Sequence, residues 1–282
     1  MSMTLPRSLL FVPATGRGFI DKAHLRGADA IVLDLEDAIA PEHKPAARAA
    51  ITPAVRVLAR HGMTVFVRVN AEAQTWAADL ASLPSDGVHG VMLPKAETAA
   101  QVARFAEALA AHETGAGWRT TLLLAAVIET PLGVLHAAEI AASTPRLSAL
   151  GFGMEDFSAC LGVVPTPDTL RGPAQWVALA ARAHGLGCWG LGDTIAAVTE
   201  LDRLRTAVDQ ARALGFTGSI AVHPGQLPII NAGFGPSLAD KAWAHRVVAA
   251  AAEARARGEG VIQVDGQMVD APILRRAQDW LR

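Results

Sequence analysis

The chain has 282 residues, 51% apolar and 18% charged, which is ample for a large core and gives no case for disorder. Its formal charge of −2 offers no electrostatic reason to expect nucleic acid or an anionic membrane as a partner. With no tyrosine and only Cys160 and Cys188 as thiols, it cannot use a tyrosine acid or base, a multi-thiolate zinc site or a disulfide framework.

In chain order, apolar runs at 8–12, 30–35, 64–70, 88–94, 121–128, 147–152, 188–191 and 219–222 predict strands. Alanine-rich stretches near 19–26, 45–60, 76–82, 97–112, 131–142, 173–184 and 201–214 predict helices between them, and 226–231 a short last one. Most of the strands are continuously apolar, as in a parallel sheet covered on both faces. The seventh is weak, because Gly187, Gly190 and Gly192 dilute it. Eight strand–helix units within about 230 residues predict a (β/α)8 TIM barrel, with an open doubly wound sheet as the alternative.

Beyond the barrel, 238–257 reads as a helix broken by Gly258 and Gly260. Residues 261–264 read as a short β piece leading to Asp265-Gly266, and 272–281 as a final helix. The expected organisation is a catalytic barrel over 1–235 and a C-terminal helical extension over 236–282 that packs on a neighbouring subunit. The longest apolar run, 121–128, is too short to span a bilayer, and the start of the sequence lacks a signal-peptide layout. A cytoplasmic protein is expected.

Barrel enzymes place their chemistry at the C-terminal strand ends, and here those ends are polar. They carry Asp34, Glu36 and Asp37, then Arg68 and Asn70, Lys95, Glu129, Glu155 with Asp156, and His223. Several acids with few thiols suit a hard divalent cation, Mg²⁺ above all, which takes one or two carboxylates and completes its shell with water and substrate. Glu129 and Asp156 are the best-placed pair; the plainer reading is that acids after strands cap the next helix. Strand alternation turns Arg68 toward the barrel axis with Phe66 and Asn70, where it binds either a substrate carboxylate or an internal Glu36 or Asp34. Lys95 neutralises substrate, tethers a neighbouring carboxylate or forms a Schiff base, although nothing argues for a depressed pKa. His223 reads first as a hydrogen-bonded structural histidine. The GxGxxG match at 185–190 follows a helix and opens none, so it is rejected as a dinucleotide site.

Taken together, the segments RSLLFVP at 7–13, GADAIVLDLEDA at 27–38, FVRVN at 66–70, LPK at 93–95, IET at 128–130, GFGMED at 151–156, VHPGQ at 222–226 and GQMVDAP at 266–272 resemble the citrate lyase β-subunit family, the CitE-like branch of the HpcH/HpaI aldolases. The resemblance runs from about residue 7 to 280. It implies a barrel holding Mg²⁺ through Glu129 and Asp156, with Arg68 gripping a substrate carboxylate. It implies carbon–carbon bond cleavage or formation between an acyl thioester, on CoA or a carrier protein, and a 2-oxo acid such as oxaloacetate, glyoxylate or pyruvate. Asp270 would reach the site of an adjacent subunit in a trimer as acid/base, with Glu36 as a further catalytic group. Phe11, Pro13 and Lys22 would meet the thioester arm, and Lys95 and Glu155 the substrate.

Two departures stand out. Many relatives have an aspartate just after the seventh strand, where this chain has Trp189-Gly190-Leu191, and many have a lysine where Ser219 stands. The first leaves the acyl or CoA portion of the substrate open. It also keeps two rivals in view: a malyl-CoA-type thioester hydrolase, and a non-catalytic barrel that binds an oxo acid or acyl-CoA.

Overall fold

The structure, a computed structural model, describes residues 5–256 and 262–281. Two compact units divide the chain, Met1–Phe234 and Gly235–Arg282. The first opens with β1 (Ser8–Pro13), α1 (Arg17–Ala23), β2 (Ala30–Asp34), α2 (Lys44–Arg60), β3 (Thr64–Arg68) and α3 (Trp76–Ala81). It continues through β4 (Gly90–Leu93), α4 (Ala99–Gly115), β5 (Leu123–Ile128), α5 (Pro131–Leu135), α6 (Ala137–Ala142) and β6 (Leu147–Phe152). It ends with α7 (Met154–Leu161), α8 (Pro167–Ala183), β7 (Gly187–Trp189), α9 (Leu201–Leu214), β8 (Ser219–Ala221) and α10 (Leu227–Gly233).

All eight strands are parallel, each beside its sequence neighbours, and β8 returns to β1 through Ser8↔Ser219 and its two successors. That sequential order excludes the doubly wound alternative, whose strand order reverses. The barrel is nearly closed. Between β7 and β8 there is a single parallel bridge, Trp189↔Gly218, supported by Thr217 N–H to the Cys188 carbonyl at 2.8 Å.

Period-2 alternation sorts the strand residues into two cores. Outward side chains such as Leu10, Ile31, Val65, Val91 and Leu150 pack under the helices. Inward ones, Leu9, Ala30, Val32, Phe66, Met92, Ala125, Ala149 and Trp189, fill the barrel itself. Trp189 meets Phe66 edge-on at 5.7 Å, and its indole N–H donates to the Pro6 carbonyl at 3.0 Å. Gly90 is required here, because a Cβ at that position would collide with the Phe66 ring.

Three element predictions need correction. The helix expected over 173–184 begins at Pro167, because Thr166 and Thr169 form a reciprocal capping box and Pro173 is accommodated inside the helix. The stretch 131–142 is two helices, which part at His136. The segment after β6 forms the additional helix α7, ended by Gly162 at φ 68°. Its opening acids read as a polar strand end, which hides a helix only two turns long.

The second unit comprises α11 (Leu238–Ala256), β9 (Ile262–Val264), β10 (Gln267–Val269) and α12 (Ala271–Trp280). The expected helix break at Gly258 and Gly260, and residue 261, lie outside the described residues. Asp265 at φ 50° and Gly266 at φ 77° make the tight turn that pairs β9 with β10 antiparallel. Ala244, Val247, Val264, Val269 and Ala277 are its core, with Trp243 and Trp280 in contact at 5.4 Å.

Candidate active site

A cavity of about 330 Å³ opens at the C-terminal ends of the barrel strands. Inward-pointing positions build its wall in strand order: Phe11 and Pro13, Asp34, Arg68, Met92, Val127 and Glu129, then Gly151 and Gly153. Trp189, Ile195, Ile220 and Val222 complete the circuit, Asp37 enters from the loop after β2, and Glu155 and Asp156 from the first turn of α7.

Arg68 is held by acids on every side. Its Nε and one terminal nitrogen bond the two oxygens of Asp34 at 2.7 and 2.8 Å, and the other terminal nitrogen lies 2.9 Å from Glu36 and 3.5 Å from Asp37. The Phe11 ring covers it, 4.8 Å from ring centre to the guanidinium carbon. Burial alone would weaken its charge, but the Asp34 bonds and the nearby Glu36 and Glu129 outweigh that and raise its pKa. Asp34 also accepts from the backbone N–H groups of Glu36 and Ala38, so one carboxylate fixes both the arginine and the loop after β2.

Lys95 stands just past β4 with φ at 50°, unusual for a residue with a side chain and a marker of stored local strain. This turn aims its backbone N–H at Glu129 Oε1, 2.6 Å away, and sends its ammonium to Glu36 at 2.7 Å and Asp37 at 3.2 Å. Burial opposes the ammonium charge, but the bonds to Glu36 and Asp37 prevail and raise its pKa, which removes the basis for a Schiff-base nucleophile. Glu36 is pushed up to about 7 by burial, despite Arg68 and Lys95. Burial works against the more open Asp37 too, yet Arg68 and Lys95 hold it below the usual range.

Glu129 does not cap α5. That duty falls to Thr130, whose hydroxyl accepts from Gly133 N–H at 3.1 Å, so the Glu129 carboxylate is left to face the cavity. Burial, then the charges of Asp156 and Glu36, push it up to about 8. Asp156 lies in the first turn of α7 and is raised by burial and by Asp37. Its carboxylate has no hydrogen bond or ion pair among the described residues. Gly153 stands against Glu129, where a Cβ would collide with the carboxylate. Six acids thus gather around Arg68 and Lys95, and burial raises the pKa of three of them, Glu36, Glu129 and Asp156, above the ordinary carboxylate values. This donor set fits Mg²⁺, which Glu129 and Asp156 would hold while water and substrate filled the remaining positions. No group of three or more metal-ligating side chains occurs among the described residues.

Residues 7–224 match the family described as HpcH/HpaI aldolase/citrate lyase. The chain belongs to this family. It is 36% identical to the citrate lyase subunit beta-like protein of Deinococcus radiodurans, over 98% of this chain and 96% of that one. It is 38% identical to a (3S)-malyl-CoA thioesterase of Cereibacter sphaeroides, over 94% of this chain and 89% of the other. Among solved structures it resembles CitE from Mycobacterium tuberculosis in complex with magnesium, acetoacetate and coenzyme A. That match has a TM-score of 0.75 and 33% identity, covering 98% of this chain and 96% of CitE. The family is lyase-type, with thioesterases among the relatives.

Some expected site residues lie elsewhere. Lys22 is exposed on α1 and lines neither this cavity nor the adjoining one. Arg26, in the turn after α1, lines a second cavity of about 630 Å³ with Phe19 and His223, sharing Phe11, Pro13 and Val222 with the first. Asn70 turns off the axis, because its backbone and side-chain N–H groups both bond the buried Asp79 at 2.8 Å. Glu155 spends one carboxylate oxygen on the Thr194 hydroxyl and on the N–H groups of Ile195 at 3.1 Å and Ala196 at 3.4 Å. It is therefore an anchor for the loop after β7. His223 accepts from Gly225 N–H at 3.1 Å. In the second unit, Asp270 caps α12, accepting from Ile273 N–H at 3.3 Å, and lines a small cavity with Arg255 and Leu274. Arg26 and Ile195 were not singled out as site residues from the sequence, whereas Asp34 was named there as a polar strand end and a candidate partner of Arg68. No local signal marks Ile195. No helix among the described residues is long and apolar enough to cross a membrane.

Proposed function

We propose that this chain makes or breaks a carbon–carbon bond between an acyl-CoA-type thioester and a short 2-oxo acid, with Mg²⁺ as cofactor. The observation that carries this reading is geometric: Glu129 and Asp156, whose carboxylate has no other partner among the described residues, line the same cavity as Arg68, so a cation and an oxo-acid carboxylate have adjoining places. Glu129 and Asp156 would hold the ion, which when bound supplies Lewis acidity and a template for the oxo acid.

The remaining roles belong to side chains. Arg68, immobilised by Asp34, offers a fixed positive charge to the oxo-acid carboxylate and to the oxygen that gains charge as the new bond forms. Asp270 of the partner subunit is proposed to take the α-proton of the thioester, and the resulting enolate carbon attacks the keto carbon. Cleavage runs the same path backward. Glu36 exchanges its proton near neutrality and so sets the net charge around Arg68 and Lys95. The adjoining cavity, with Phe11, Phe19 and Arg26, suits the thioester arm. The reading takes the enzyme to work in the cytoplasm as a homotrimer.

The test is incubation with Mg²⁺, acetyl-CoA and, in turn, glyoxylate, oxaloacetate and pyruvate, following thioester loss and product mass. One of the three is expected to give a condensed thioester; no product from any of them rejects the lyase reading. The Cereibacter relative supports a second reading, hydrolysis of a malyl-CoA-type thioester. It predicts release of malate and free CoA from malyl-CoA with no acetyl-CoA formed.

A further inference from the structure

The mouth of the barrel is divided by chemistry. Strands β2 to β6 supply all its charges, from Asp34 to Asp156, whereas β7 and β8 contribute Ile195, Ile220 and Val222. Ile195 belongs to a segment without helix or strand, yet its backbone is fixed from three directions. Glu155 accepts from the Thr194 hydroxyl and from Ile195 N–H at 3.1 Å. The Ile195 carbonyl accepts from Gln226 Nε2 at 2.7 Å, and Gln226 is itself buried, with its oxygen bonded to the N–H groups of Val222 and His223 at 3.0 Å. Buried Asp193 caps Thr194 N–H at 2.8 Å and is locked to Arg203 by contacts of 2.7 and 2.8 Å. Glu155 and Gln226 thus bond the backbone of one 3%-exposed isoleucine that faces the cavity, and Asp193 fixes the residue pair just before it. A loop held this firmly gives a wall of fixed position, and a fixed apolar wall discriminates ligands by length.

We propose that Ile195 is a specificity-determining residue that limits the length of the acyl group, with Ile220 and Val222 forming the rest of an alkyl subsite. The proposal rests on the thioester reading above. With the oxo acid on the charged side, the thioester's acyl carbon must approach from the opposite wall, and an alkyl substituent there meets Ile195. No charged side chain from β7 or β8 stands in its way.

The test measures calorimetric affinities for acetyl-, propionyl- and butyryl-CoA with Mg²⁺ present, and turnover with the oxo acid that reacts. Wild-type protein, Ile195→Ala and Ile195→Val are compared. Ile195→Ala is expected to raise the butyryl-to-acetyl ratio by about tenfold or more, and Ile195→Val to raise it less, since each methylene in an apolar pocket is worth roughly 10- to 200-fold. Should Ile195→Ala fail to fold, the valine variant reads the same ratio at smaller amplitude. Ratios unchanged in the folded variants overturn the proposal. Wild-type turnover with unchanged ratios removes Ile195 alone. Shifted binding ratios without any turnover support Ile195 and reject the lyase reading.

Discussion

Arg68 and Asp34 are register partners on adjacent strands, and their side chains share two hydrogen bonds of 2.7 and 2.8 Å at the mouth of the barrel. The strand pairing therefore sets the position of the arginine before any ligand arrives. Removing the arginine strands Asp34 and Glu36, both buried, without their main counter-charge. Arg68→Ala is expected to cost about 3–5 kcal/mol of stability, read by urea unfolding. A loss below about 1 kcal/mol would mean that the pair contributes nothing net to the fold.

If Glu129 holds Mg²⁺ as proposed, metal binding depends on the space Gly153 leaves for its carboxylate. Gly153→Ala keeps every charge but displaces that carboxylate, so it is expected to weaken Mg²⁺ binding by at least about tenfold in calorimetry, as Glu129→Gln does by removing a ligand. Unchanged affinity in both variants would move the metal elsewhere.

The raised pKa of Glu129 has a sign that can be checked. In chelator the unfolded chain loses this proton near 4.5 and the folded chain near 8, so the folded state holds the extra proton in between. The contribution of Glu129 to stability is therefore full below 4.5 and declines as pH rises toward 8. Glu129→Gln should gain on wild type across that window, by a melting-temperature difference on the order of 5 °C. Saturating Mg²⁺ should remove the gain. A difference that does not vary with pH would be incompatible with a carboxyl titrating in this range.

Asp270→Asn keeps the cap on α12, since asparagine caps as well as aspartate. Stability should hold while turnover falls by about 100-fold or more, the usual scale for losing a general base. Mixing this variant with Arg68→Ala should restore part of the activity if the base comes from a second copy of the chain. Full turnover by Asp270→Asn alone removes it from the chemistry.

How much of the site was legible follows from the range of the interactions involved. Strand alternation is local, and it places Arg68 and Glu129 on the inner wall from sequence alone. The clamp on Arg68 is a pairing across 34 residues, so the sequence left its partner open between substrate and an internal acid. Lys22 lies on α1, which ends at Ala23, whereas Arg26 lies in the turn beyond it, and the sequence does not show where so short a helix stops or which of the two meets a cavity. Ile195 is positioned by Glu155 and Gln226, 40 and 31 residues away, and such anchoring leaves no local trace.

The bridge between β7 and β8 gives the barrel a mechanical asymmetry. Each of the other seven strand junctions is a ladder of three to five register pairs, whereas this one has the lone Trp189↔Gly218 bridge. Opening there breaks the fewest backbone bonds, so the seam is where the cylinder gives first. The acids and Arg68 sit on the stiff arc, and at the seam the Gln226 bond to the Ile195 carbonyl reaches across from beyond β8 and keeps that wall in place. Charge placement is thereby insulated from any opening of the cylinder at that junction.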